Sequence, residues 1–438
     1  MLVAGVAIAA GLTWILPAGD YARREDPATH RSVVVAGTYH AVPRSPVGPF
    51  AAVVALPRGF IEGADVIAVV LFVGGAWVVI DRLGILNRLI ASLVAAFRRR
   101  GLLAIPVVAL FFGTMGALEN MQEEIIPLIP VLLLLGAGVG VDAVGVVGMS
   151  VGAAMIGSAF GPTNPFQAGI ALKLAQLPPT SFGLLRLVML IVALALWVAW
   201  TTRHAIKHRA DVPPSISADD AGAATGMSRK DLVLFLIAVA PMGIYVYGSI
   251  AFGWGFNELS AGFFAGAFIA GLGVGLGLEG TTIAYLEGMQ SLLPAAMLIG
   301  VARSISLVLA DGHVIDTILQ GMTGPLGHAA PATTAYLMVP AQALIHVIVP
   351  SASGQAVLTM PVFVPLSDLL GISRQVTVLA YQMGCGLCEM LTPTNGALMA
   401  VLLAARVPFG RWMRFALPGA GISLLVGIVG MAAAMIMS

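Results

Sequence analysis

The residues able to do chemistry in this chain are few, and they fall at repeated places. The tripeptide Pro162-Thr163-Asn164 recurs as Pro393-Thr394-Asn395, and each copy interrupts a long apolar stretch. A helix broken there leaves free N–H groups at the start of its second half and free C=O groups at the end of its first. The N–H end suits a carboxylate and the carbonyl end suits Na+. Thr163, Asn164, Thr394 and Asn395 add neutral oxygens that can ligate a cation, with Na+ at Asn164 and Asn395 as the candidate, or hydrogen-bond an anion. The plainer alternative is helix capping across a proline kink. Two symmetry-related copies favour a binding site over that alternative.

A second polar group precedes each break. Glu119, Asn120, Gln122, Glu123 and Glu124 lie just before Pro127, and Ser351, Ser353, Gly354 and Gln355 lie before Pro361. A charged side chain in the bilayer costs ~2.5–3.5 kcal/mol on insertion scales, so it faces a cavity or a partner. Glu119, Glu123 and Glu124 could take a substrate amino group, carry a proton, neutralise Arg303, or stand in interfacial water. Arg303 sits mid-span, where it pairs with Asp311 or a glutamate, or holds a substrate carboxylate with its planar fork. Glu389, a few residues before the second break, is a proton or cation candidate. His346 on its apolar helix reads as packed or hydrogen-bonded, and Lys173 near Pro178 as snorkelling. The two cysteines, Cys385 and Cys388, form a CxxC inside an apolar helix. Two thiols alone do not close a zinc site, so they read as small packing residues.

The elements that position these groups must be membrane helices. The 438 residues are 59% hydrophobic and 10% charged, against about 25% charged in soluble domains. A chain of this size cannot hide that much apolar surface in water. Lys plus Arg (22) nearly balances Asp plus Glu (21), so no basic face points to nucleic acid. The apolar runs are long and do not alternate, which excludes a β-barrel. Spans of about 20 residues are expected at Met1–Leu16 (a first span, not a signal peptide), Ala64–Ile80, Leu102–Leu118, Val141–Phe160, Phe182–Trp200 and Leu232–Phe252. Five more follow at Leu259–Leu278, Leu292–Ala310, Thr333–Val349, Arg374–Met390 and Leu417–Met437. Leu83–Phe97 and Val314–Leu326 are weaker, giving 11–13 spans.

The chain divides into a first transmembrane repeat (1–202), a linker (203–230) and a second repeat (231–438). Each repeat holds a proline-interrupted re-entrant hairpin, at about 119–140 and 351–371, then a broken helix at about 141–177 and 373–405. Gly74-Gly75-Ala76 answers Gly300-Val301-Ala302, followed by Asp81 and Asp311. Arg203, Lys207 and Arg209 place the linker in the cytoplasm, with Arg406, Arg411 and Arg414 on the same side. Five expected crossings separate these clusters, an odd number, and a crossing by Val314–Leu326 would restore parity. With Leu83–Phe97 crossing as well, the repeats are inverted, an all-α polytopic architecture that secondary transporters use to place a site at the midplane. No Gly-x-x-x-x-Gly-Lys-Ser/Thr loop is present, so direct ATP drive is not expected. A channel would need rings of charge or a carbonyl filter, and an intramembrane hydrolase would need paired acids within reach of a water.

Val349-Pro350-Ser351-Ala352-Ser353-Gly354-Gln355-Ala356-Val357-Leu358-Thr359-Met360-Pro361 and Glu123-Glu124-Ile125-Ile126-Pro127 resemble the YfcC-type branch of the C4-dicarboxylate anaerobic carrier family. So do Thr163-Asn164-Pro165-Phe166 and Ala302-Arg303-Ser304-Ile305, and the resemblance covers nearly the whole chain. It implies inverted repeats, two hairpins, a homodimer in the inner membrane, and elevator-like movement of a transport domain. It also implies substrate- or Na+-binding roles for Thr163, Asn164, Ser353, Gln355, Thr394 and Asn395. The family pattern has an acid near Cys385 and a Ser near Asn395; here Glu389 stands one turn later. The expected function is cation-coupled symport or exchange of a small carboxylate-bearing metabolite, C4-dicarboxylate-like, with coupling Na+ or H+, no other cofactor and no catalysis. The alternative is a basic amino-acid antiporter.

Overall fold

The computed structural model describes residues 2–26, 31–82, 101–162, 164–178, 180–209 and 254–437, with scattered positions between 233 and 252. Thr163, the Leu83–Phe97 stretch, Asp81's side chain, most of the expected span Leu232–Phe252 and the linker beyond Arg209 lie outside the described residues.

Helix α1 (Leu2–Ile15) leads into short strands β1 (Gly19–Asp20), β2 (Arg23–Asp26), β3 (Arg31–Val34) and β4 (His40–Ala41). These pair antiparallel, β1 with β4 and β2 with β3, a layer the hydropathy of the sequence does not announce. Helices α2 (Pro49–Glu62) and α3 (Ala64–Arg82) follow, bent by 57° at Gly63.

The first hairpin is α4 (Ala104–Glu119), a polar turn, a 3-10 segment (Glu123–Leu128) and α5 (Ile129–Val139). Asn120 closes α4 in the left-handed region (φ 59°), which turns the chain back on itself. The arms return to one level, since a Cβ at Gly101 would meet Val139 O at 3.0 Å. The first broken helix is α6 (Ala143–Val147), a π turn (Gly148–Gly152) and α7 (Ala153–Phe160). Past the break come a π turn (Pro165–Gly169), α8 (Ile170–Leu174) and then α9 (Gly183–Lys207).

In the second half the continuously described elements begin with α10 (Phe256–Val274), α11 (Gly277–Asp311) and α12 (Ile315–Leu326). Its hairpin is α13 (Pro331–Ile348) and α14 (Ala352–Leu369), and its broken helix is α15 (Arg374–Glu389) and α16 (Gly396–Ala404). Helix α17 (Phe409–Met437) closes the fold. The hairpin, the broken helix and a closing long helix thus recur in the same order in both halves.

Corresponding helices run in opposite directions. Trp200 Nε1 on α9 donates to Phe415 O on α17 (3.0 Å), while Met189, earlier on α9, packs at Gly430, later on α17. In the broken helices, Ala159 packs on Gly386 and Gln382 Nε2 donates to Gly161 O at 2.7 Å. Gly74 of α3 lies beside Gly288 of α11, whereas Gly63 lies beside Ile299. A Cβ at Gly288 would come within 2.5 Å of Gly74 O, so only glycine permits that backbone approach. The halves are therefore inverted.

Two expected spans prove to be hairpin arms. Leu102–Leu118 corresponds to α4 and Thr333–Val349 to α13; the stretches 119–140 and 351–371 supply only the second arms. Gly327, before α13, lies beside Leu366 near the end of α14, so that hairpin also returns to one level. With Thr333–Val349 removed from the expected crossings, an even number separates the basic clusters without a crossing by Val314–Leu326. Asp142, between the first hairpin and its broken helix, binds both His204 Nε2 (3.2 Å) and Arg411 Nη2 (3.0 Å), which stand on one face. Among the described residues six helices are long and apolar enough to cross a membrane, or seven with the bent α2–α3 pair.

The strand layer is tied to the opposite face. The Tyr21 N–H and Arg23 Nη2 donate to the buried Asp316 carboxylate of α12 at 2.9 and 3.0 Å, and Tyr39 OH meets Thr317 Oγ1 at 2.9 Å. Strand β3 packs on α14, so this layer covers an arm of the second hairpin.

Candidate functional site

Each break is organised by its asparagine. Asn164 Oδ1 accepts from the N–H groups of Phe166 and Gln167 (both 3.0 Å), satisfying donors that the new helical turn leaves without partners. Its amide donates to Gly116 O (3.1 Å) and Asn120 Oδ1 (3.2 Å) on the first hairpin. Ser158 bonds Asn120 and also Gln167 Oε1 (2.7 Å), and Gln167 Nε2 reaches Gln382 O at 3.1 Å. Asn164 and Gln167 are fully buried. This first centre is a buried polar knot, and its edge, Asn120 and Phe166, reaches the cavity described below.

At the second break Asn395 Oδ1 accepts from Leu398 N–H at 3.0 Å, the same capping role. Its amide reaches across the molecule to Gln122 Oε1 (3.2 Å), and Gln122 Nε2 donates to Glu389 Oε2. The first hairpin tip therefore docks on the second break. Beside this contact opens a cavity of about 680 Å³. Among the described residues its wall carries four carboxyl groups, Asp65, Glu123, Glu124 and Glu389, and one guanidinium, Arg303.

Arg303 makes no ion pair or hydrogen bond among the described residues, and Asp311, one of its expected partners, pairs with Arg58 instead. The starts of two helices border the same space. Ser351 caps α14 by accepting from Gly354 N–H (3.2 Å) with Ser353 on the wall, and Gly396 and Ala397 open α16. Gly396 relieves a tight approach, since a Cβ there would lie 3.1 Å from Ile299 Cα.

Of the residues singled out by sequence, Ser353, Thr394, Asn395, Arg303, Glu123, Glu124 and Glu389 line this cavity. Asn164 and Gln355 do not. Gln355 is buried between the hairpin arms, where its Nε2 donates to Gln342 O (2.7 Å) and its Oε1 meets His346 Nδ1 (2.8 Å). Lys173 is exposed near the end of α8, and the side chain of Glu119, like Thr163, lies outside the described residues. Sequence reasoning passed over Asp65, Gln122, Trp254 and Asn257 as site residues. Asp65 carried a usable signal: it is an acid beside the glycine that bends two apolar helices.

The whole chain, residues 1–436, matches the family model described as C4-dicarboxylate anaerobic carrier. A protein of Escherichia coli described as putative basic amino acid antiporter YfcC is 30% identical over 371 residues, 80% of this chain and 73% of that protein. An uncharacterized protein of Haemophilus influenzae is 27% identical over 98% of this chain and 94% of its own. Among solved structures, the YdaH transporter of Alcanivorax borkumensis aligns with 99% of this chain and 96% of that one, at 18% identity and a TM-score of 0.44. MtrF of Neisseria gonorrhoeae, titled as illuminating a class of antimetabolite efflux pumps, covers 98% of this chain and 93% of its own, at 15% identity and a TM-score of 0.41. With the family model matched end to end, this inverted-repeat membrane protein belongs to the C4-dicarboxylate anaerobic carrier family of membrane transporters.

Proposed function

We propose that the protein is a secondary carrier of basic amino acids, working by exchange at the cavity between the first hairpin tip and the second break. The observation that carries this reading is the wall's composition: four carboxyl groups face one guanidinium. A C4-dicarboxylate would bring two more negative charges into that wall, at low dielectric, against Arg303 as the one basic side chain among the described wall residues. An amino acid such as arginine or ornithine presents one carboxylate, suited to the Arg303 fork, and cationic groups suited to Asp65, Glu123, Glu124 or Glu389. The E. coli relative's description as a putative basic amino acid antiporter supports the same substrate class.

The asparagine oxygens at both breaks are engaged by backbone N–H groups. That supports exchange or proton coupling over Na+ held at Asn164 and Asn395. Movement of the cavity between membrane faces by an elevator-like displacement is part of this proposal, the inverted repeats supplying two related end states. The inner membrane is its proposed location, and transport its only chemistry.

The test is uptake into proteoliposomes. Vesicles loaded with ornithine should accumulate labelled arginine whether the outer medium holds Na+ or choline. Succinate uptake that requires Na+, with no arginine exchange, would overturn the reading in favour of dicarboxylate symport.

A further inference from the structure

Behind the cavity wall, α13 and α15 bring three ligand-type side chains together. Cys385 and Glu389 are one helical turn apart on α15, hence on one face. His346 projects from the facing helix α13. One donor atom from each of the three lies within 4.8 Å of the others, and all three residues are buried. We infer that His346, Cys385 and Glu389 form a binding site for a borderline transition-metal dication of the zinc class.

The hydrogen-bond network prepares the imidazole for this role. Gln342 O is a carbonyl and can only accept, so the Gln355 nitrogen that meets it at 2.7 Å fixes that amide's orientation. The amide oxygen of Gln355 then faces His346 Nδ1 at 2.8 Å, and Nδ1 must carry the proton. Nε2 is left with its lone pair, fully buried and without a hydrogen-bond partner, 4.0 Å from Glu389 Oε1. A histidine whose one nitrogen donates to an oriented amide while the other offers a lone pair is the usual second-shell arrangement of a metal ligand.

Bond lengths of about 2.0–2.3 Å put the donor atoms of a tetrahedral zinc site roughly 3.3–3.7 Å apart. The 4.0 Å His346–Glu389 separation is close to that. The Cys385 Sγ now rests 3.3 Å from His346 Nδ1, so it has to move toward the Nε2 side for the ion to bind. On binding, the Cys385 thiol gives its proton to solvent, and the thiolate and carboxylate together neutralise the dication. The fourth position falls to a water from the cavity that Glu389 lines. Mixed N, S and O donors select zinc-class ions over Mg2+ or Ca2+, which take oxygen. Cys388 has no part in the site, since its Sγ donates to Ala343 O at 3.2 Å.

The experiment is titration of the full chain in detergent with Co2+ alone, followed by absorption spectroscopy. The expected result is one ion per chain with a near-ultraviolet thiolate-to-cobalt band. Cys385→Ser should abolish the band, Cys388→Ser should leave it unchanged, and His346→Ala should weaken binding at least tenfold. No band in the wild type, or equal loss in both cysteine variants, would overturn the inference. If His346→Ala does not fold, the two cysteine variants still decide. No transport is measured, so failure here is independent of the substrate reading.

Discussion

The two helix breaks share a local rule and differ in their surroundings. At both, an asparagine caps the second half-helix through its side-chain oxygen. The first break spends its remaining hydrogen bonds on its own hairpin, through Gly116, Asn120 and Ser158. The second reaches a hairpin from the other half, through Gln122, and stands on the wall of a charged cavity. The two frames are locally equivalent, but the first is mostly buried in its own half, reaching the cavity only at Asn120 and Phe166, while the second contributes Glu389, Thr394, Asn395, Gly396 and Ala397 to the cavity wall. Buried polar groups with complete partners rigidify a core, while groups that face a cavity stay available to a ligand.

The sharpest test of that contrast lies on the cavity side. Arg303→Ala should raise the half-saturating arginine concentration about 100-fold or more, equivalent to roughly 3 kcal/mol, with the melting temperature little changed. Unaltered affinity in proteoliposome uptake would place Arg303 outside the binding contacts. On the knot side, Asn164→Ala leaves two helix-start N–H groups and its hairpin partners without bonds. A loss of about 2–4 kcal/mol is expected, seen as a large fall in melting temperature.

Asn395→Ala removes one capping bond and one contact to Gln122, so about 1 kcal/mol is expected with uptake nonetheless lost. Equal destabilisation by the two asparagine variants would erase the distinction between the breaks. The smallest effect concerns the turns that follow the hairpins. After the first, burial acts to raise the Asp142 carboxyl, but hydrogen bonds from His204 and the Gly145 N–H, with the nearby His204 and Arg411 charges, bring it below its ordinary value. A carboxylate whose folded pKa is depressed stabilises above its unfolded pKa, about 3.9, and that stability fades as pH falls through the folded value. Asp142→Asn should therefore lower the melting temperature at neutral pH by about 1 kcal/mol equivalent. The wild-type and variant curves should converge as pH falls through the lowered folded value of Asp142. The matching turn after the second hairpin uses Arg374, bonded to Asp368 and to Ala175 O at 3.0 Å, which that substitution leaves intact.

Much of this was legible in the chain before folding. The apolar excess dictated a bilayer, the repeated Pro-Thr-Asn marked both breaks, and the acidic tip before Pro127 marked one side of the cavity. The hairpin arms were harder to see, because a helix that crosses and one that turns back are equally apolar. The strand layer at residues 19–41 was missed because four strands of two to four residues leave no periodic signature. CxxC spacing drew attention to Cys385 with Cys388, whereas the fold faces Cys385 toward His346.

By itself, then, the sequence determined what depends on neighbours along the chain: solvent, helix breaks, caps and the order of elements repeated in each half. Those follow from hydropathy and from hydrogen bonds spanning a few residues. Only the tertiary structure decided which break would face the cavity, that Arg303 would lose Asp311 to Arg58, and that Gln122 would bridge Asn395 and Glu389. Such pairings join groups separated by as many as 273 residues. They are set by how inverted halves interlock, which no local propensity encodes.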